Sequence, residues 1–94
     1  MSILREEPRN VRAFNGKAAA QAWRGNYYAA QETYQEALAL EPDNLDSLVG
    51  LGYAFTWAGD NAIAEATFQR ALQISPQHRD ALKGDAYLQL WSGN

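Results

Sequence analysis

LDSLVGLGYAFTWAGDNAIAEATFQRALQISP, residues Leu45 to Pro76, decides the architecture of this chain, because the residues on either side read as imperfect copies of it at one spacing. Pro8, Pro42 and Pro76 lie 34 residues apart, as do Gly25, Gly59 and Gly93, Trp23, Trp57 and Trp91, and Gly16, Gly50 and Gly84. Four residue sets in triplicate at one period of this length mean a stacked array of repeats rather than a single globular layout. Each unit then covers the apolar face of the next, which suits a chain of 94 residues that buries only a modest core by itself.

Within each copy the punctuation places two helices. From Val11 to Arg24, Phe14, Ala18 and Ala22 recur at helical spacing, and the run stops at Gly25-Asn26, where glycine adopts the left-handed turn that closes a helix. The Asn or Asp of Gly25-Asn26, Gly59-Asp60 and Gly93-Asn94 is expected to cap whatever helix follows. The second helix, about Tyr27 to Leu40, turns Ala30, Tyr34, Ala37 and Leu38 to one face and ends before Pro42. Asn10 and Asn44 stand at N-cap positions, with His78 a poorer cap in the third copy. The expected organisation is a remnant of a preceding second helix over residues 1–10, full units over 11–44 and 45–78, and the first helix of a third unit over 79–94.

In the quoted stretch, Leu48-x2-Leu51-Gly52-x2-Phe55, then Ala64-x3-Phe68, then Ala71 and Pro76, resembles the tetratricopeptide repeat, and the likeness runs through nearly the whole chain. The resemblance implies an all-α fold of antiparallel helix-turn-helix repeats stacked into a right-handed solenoid, about two and a half units of a longer, bacterial-type array. Small residues such as Gly52, Ala64 and Ala71 let helices approach, and Leu51, Phe55 and Phe68 fill the space beside them. The flanking copies depart from this pattern at Leu51 and Phe55, whose counterparts are Lys17 and Gln21, then Asp85 and Gln89. In the third copy that polarity suits a terminal helix facing water. In the first it means either partial solvation near an end or a different helix packing. Exposed ends are also expected to make the chain self-associate.

Composition removes several classes of function. There is no cysteine, hence no disulfide framework and no thiolate metal site. No apolar run approaches the ~20 residues that span a bilayer, and Arg5, Glu6, Glu7 and Pro8 behind Ile3 and Leu4 do not form the apolar core of a signal peptide. No membrane contact is expected, and the compartment, cytoplasmic or periplasmic, stays open. A net charge of -3, with no Lys or Arg between Gly25 and Gln69, argues against nucleic acid. His78 is the only histidine and lacks a second ligand at metal-binding spacing, so neither metal nor cofactor is expected. The pairs Glu32 with Glu36 and Asp43 with Asp46 read as a solvated helix face and a helix N-terminus rather than as acid-base machinery.

The family resemblance implies a binding scaffold whose ligand lies along the concave surface of the first helices. Carried over position by position, it places Asn15, Trp23, Asp46, Val49, Gly50, Tyr53, Trp57, Lys83, Tyr87 and Trp91 in that groove. The family's clamp for a terminal carboxylate is absent, since Ala19, Val49, Tyr53 and Tyr87 stand where its polar donors belong, and Gly16, Gly50 and Gly84 replace the asparagine ladder of its sugar-nucleotide-dependent members. What stands there instead is a stripe of Gly50, Tyr53 and Trp57, then Gly84, Tyr87 and Trp91, with Gly16, Ala19 and Trp23 as a thinner first copy. Three glycines inside helices, each costing up to about 1 kcal/mol against alanine, mean that something approaches the backbone closely. One reading makes that something a neighbouring helix, with each Trp packed between units. The other makes the stripe an aromatic platform in the groove. The expected function is a non-catalytic protein-protein interaction scaffold for a protein or peptide partner. The alternative is a carbohydrate-binding or assembly segment of a bacterial polysaccharide synthesis or export protein.

Overall fold

The computed structural model describes residues 10–91, and over them the chain is an all-α helical-repeat solenoid. Its helices are α1 (Val11–Trp23), α2 (Tyr27–Leu40), α3 (Leu45–Ala58), α4 (Asn61–Ile74) and α5 (Arg79–Trp91). The expected remnant over residues 1–10 lies outside the described residues except for Asn10, and so do Gly93 and Asn94. The array is elongated, 53 × 27 × 17 Å.

Local chemistry sets where each helix starts and stops. The Asn10 side chain accepts from the Ala13 N–H at 3.3 Å, and Asn44 accepts from Ser47 N–H at 2.9 Å. His78 also caps, its Nδ1 accepting from Ala81 N–H at 3.3 Å. At the other end, Gly25 and Gly59 take φ of +83° and +91°. These turns satisfy the last carbonyls in the same way twice: Asn26 N–H donates to Gln21 O at 2.8 Å and Asp60 N–H to Phe55 O at 2.9 Å. That double use explains a difference from expectation, since the Asn26 and Asp60 side chains make no capping bond to α2 and α4. Closing the preceding helix holds their ψ at 66° and 68°, short of the 106° and 113° with which Asn10 and Asn44 aim their side chains at the helix start.

Packing centres on α3, which touches each of the other four helices. Alanines at the crossings, Ala18, Ala30, Ala37, Ala54, Ala64, Ala71 and Ala81, are completely buried, as are Leu48 and Phe68. The aromatic rings of the second helices fit against glycines. Tyr34 on α2 lies so close to Gly50 on α3 that a Cβ there would overlap its ring, and Phe68 on α4 stands in the same relation to Gly84 on α5. Phe68 also abuts Gly52 of its own pair, where a Cβ would fall 2.6 Å from Cε1. Tyr34 and Phe68 are one period apart, so the ring-on-glycine contact is itself a repeat. Among the described residues, nothing lies within 4 Å of a Cβ placed on Gly16.

The polar register of the flanking copies resolves differently at each residue. Lys17 is exposed, whereas Gln21 is half-buried and accepts from Thr33 Oγ1 of α2 at 2.7 Å. The helix contact is therefore polar where Leu51 and Phe55 make it apolar. On α5 the same register bonds back to α4, with Gln69 donating to Asp85 at 3.2 Å and Gln89 to Glu65 at 3.1 Å.

Glycine-to-alanine changes at equivalent positions are expected to act with opposite sign. Gly84→Ala should lose about 1 to 3 kcal/mol through overpacking against Phe68. Gly16→Ala meets open space and should gain up to about 1 kcal/mol of helix propensity. Urea unfolding of the two variants beside the parent checks this, and equal shifts in both would refute it.

Candidate functional site

The face shared by α1 and α3 carries an aromatic trough. A cleft of about 340 Å³ is lined by Ala22 and Trp23 of α1, Tyr27 of α2 and Trp57 of α3. A smaller one of about 120 Å³ adjoins it, shares Ala22, Trp23 and Trp57, and adds Ala19, Tyr34, Gly50 and Tyr53. Three of the rings, those of Tyr27, Trp57 and Tyr53, are in contact along the trough. Tyr53 lies 5.7 Å from Trp57 at 33°, and Tyr27 lies 6.2 Å from Trp57 at 47°, both within the range of favourable aromatic pairs. Tyr53 meets Phe68 edge-on at 5.1 Å, which ties the trough to the core.

The two readings of the small-then-aromatic stripe each hold for part of it. Gly50 and Gly84 belong to the packing, since they receive the rings of Tyr34 and Phe68. Trp23 and Trp57 are not buried between units: Trp23 is 90% exposed and Trp57 54% exposed. The difference follows from helical spacing. Seven residues along, just under two turns, the stripe has passed the ring of Tyr34 and meets α2 at its first residue, Tyr27, 6.2 Å away.

The other expected groove residues divide in the same way. Val49, placed in the groove by the family positions, is a correction: it is only 7% exposed and packs into the core cluster. Asn15 is half-buried, and its amide holds helices together, donating to Asn44 Oδ1 at 3.4 Å and accepting from the buried Ser47 Oγ at 2.7 Å. Asp46 and Lys83 are exposed, and Tyr87 is partly exposed beside Thr56, Gly59, Asn61 and Leu88. The side chain of Trp91 lies outside the described residues. Sequence reasoning missed Tyr27 and Tyr34 as cleft residues. Both sit on a second helix, and Tyr34 carried only a core signal.

Burial, with a nearby carboxylate, favours the neutral phenols of Tyr34 and Tyr53. Burial raises the pKa of Tyr34 above its ordinary value, and the nearby Asp46 carboxylate adds to it. Tyr53 is raised by partial burial and then by Asp80, whose backbone carbonyl accepts its O–H at 2.9 Å. Such a face offers stacking area and phenolic hydrogen-bond groups. Among the described residues there is no group of three His, Cys, Asp or Glu able to hold a metal, and no helix is long and apolar enough to cross a membrane.

The raised phenol pKa values fix the sign of an alkaline effect. The stability these groups contribute is fully present below the unfolded-state pKa of about 10 and is lost as pH rises through the higher folded-state values. Thermal melts are therefore expected to fall above about pH 10. The Tyr34→Phe variant should fall less steeply than the parent, and parallel pH profiles would contradict the assignment.

Comparison with known proteins supplies the context. The tetratricopeptide repeat family model matches residues 24–83. Among solved structures, the second TPR domain of the human RPAP3 protein, determined in complex with the HSP70 peptide SGPTIEEVD, is similar with a TM-score of 0.82 at 20% identity, over 86% of this chain and 68% of that one. The Arabidopsis OM64 TPR domain is similar with a TM-score of 0.79 at 22% identity, over 85% of this chain and 66% of that one, so the present chain spans about two thirds of each. At these identities the likeness carries the fold alone. No curated protein matches the chain.

Proposed function

This chain belongs to the tetratricopeptide-repeat family, and we propose that it is a non-catalytic scaffold that holds an extended segment of a partner protein along the face of α1, α3 and α5. The observation that carries this reading is the exposure of Trp23 and Trp57 beside Tyr27 and Tyr53, four rings in a single trough whose outer surface the fold itself leaves open. Rigid aromatic side chains in a cleft are the kind of anchor around which a binding interface concentrates its energy. The peptide complex of the RPAP3 domain supports the class of partner. On this reading, residues 11–44 and 45–78 are whole units and 79–94 opens a third. Nothing in the comparisons favours the polysaccharide alternative.

Trp57→Ala is expected to weaken a bound peptide about tenfold, equivalent to about 1.4 kcal/mol. Because Trp57 is more than half exposed, the melting temperature should move little. Titrating a peptide library and, separately, soluble glycans against the chain while following Trp fluorescence checks both points. A glycan that quenches where no peptide does would reverse the assignment.

We propose self-association as a second property, favoured by Gly16, where no described residue would meet a Cβ. A ring-bearing helix from a further unit or another chain has room there, and Leu90 on α5 is also largely exposed. Light scattering over a concentration series should show mass rising with concentration, and Gly16→Leu should suppress the rise. A constant monomeric mass would rule the property out.

A further inference from the structure

The larger cleft of the trough is a three-ring cage. Trp23 comes from the last residue of α1, Tyr27 from the first of α2, and Trp57 from the penultimate residue of α3. One period on, Asn61 stands where Tyr27 stands, and the cleft there is lined by Thr56, Gly59, Asn61, Tyr87 and Leu88. The third aromatic wall is thus particular to the junction of α1, α2 and α3.

The two helices that carry Tyr27 and Trp57 have acidic residues and no basic ones. No Lys or Arg occurs on α2 or α3, or anywhere from Gly25 to Gln69, while Glu32, Glu36, Glu41, Asp43, Asp46, Asp60 and Glu65 fall in that span. Asp46 and Asp80 are close enough to act on Tyr34 and Tyr53, which line the adjoining cleft. Arg24, beside Trp23, is the cation at its border. The faces of Trp and Tyr rings carry negative quadrupole density and attract cations. An acidic segment such as SGPTIEEVD, held by the RPAP3 domain, would find no Lys or Arg on α2 or α3.

Resting on the groove reading above, we propose that the Trp23, Tyr27 and Trp57 cage takes an arginine or lysine side chain, so that the partner is a basic peptide segment. The cation stacks on the rings, the acidic surroundings raise its local concentration, and polyanionic segments are excluded.

The test uses the whole chain and two sets of probes, followed by Trp fluorescence. Choline is compared with its neutral isostere 3,3-dimethylbutan-1-ol, and nonapeptides differing only at the central residue carry arginine, citrulline or glutamate there. Choline and the arginine peptide are each expected to bind about tenfold tighter than their neutral counterparts, with the glutamate peptide weakest and the preference falling as salt rises. Trp23→Leu removes a ring that is almost wholly exposed, so folding is retained, and it should abolish the preference. Equal binding of choline and its isostere, or tighter binding of the glutamate peptide, overturns the proposal. If the cation preference is absent while peptides still bind and Trp57→Ala weakens them, this inference falls and the groove reading stands. If choline is preferred but no peptide binds, the groove reading falls and takes the basic-peptide partner with it.

Discussion

The seating of an aromatic ring on a helical glycine is the contact from which the rest of this structure follows. Tyr34 lies against Gly50, and Phe68 lies against both Gly52 and Gly84, at distances that leave no room for a Cβ. The contacts on Gly50 and Gly84 set how near a second helix comes to the first helix of the next pair, and the contact on Gly52 sets the approach within its own pair. The spacing of α1, α3 and α5 is therefore set from behind. Alanine at the same sites would favour the helices locally and push them apart, so the glycines trade helix propensity for closeness.

That closeness has to be consistent with the polar groups it encloses. Asn15, Asn44 and Ser47 form a small bonded cluster in which one amide caps α3 while another links it to α1. Gln21 and Thr33 do comparable work between α1 and α2, and Gln31 Nε2 donates to the Ala54 carbonyl at 3.4 Å. Among the described residues no buried side-chain polar atom is left without a partner. A polar first unit is thus compatible with stable packing.

The same geometry creates the aromatic face. Tyr53 has its ring edge against Phe68, its O–H on the Asp80 carbonyl and its face toward Trp57, so one side chain joins core, neighbouring helix and trough. Trp57 is held by Tyr53 and Tyr27 on one side and open on the other. Rings fixed in this way lose little further freedom when a ligand docks, which favours tight binding by a modest surface. Helices α2 and α3 add no basic residue to this face.

The sequence by itself determined what depends on neighbours a few residues apart or on a fixed period. Helix ends are of this kind, because Asn10, Asn44, Gly25 and Gly59 act on backbone groups within one turn, and so is the repeat, because Pro, Gly and Trp recur in register. Only the tertiary structure decided which side of each helix is covered. Val49, Gly50 and Trp57 share α3 and all looked like groove residues, yet one is core, one is a seat for Tyr34 and one faces solvent. Tyr27 and Tyr34 reached the trough from a second helix that the groove positions of the family do not include. Exposure depends on what stands opposite a side chain, and that is set by the crossing of helices distant in the chain, through contacts such as Phe68 on Gly84, which no local spacing encodes.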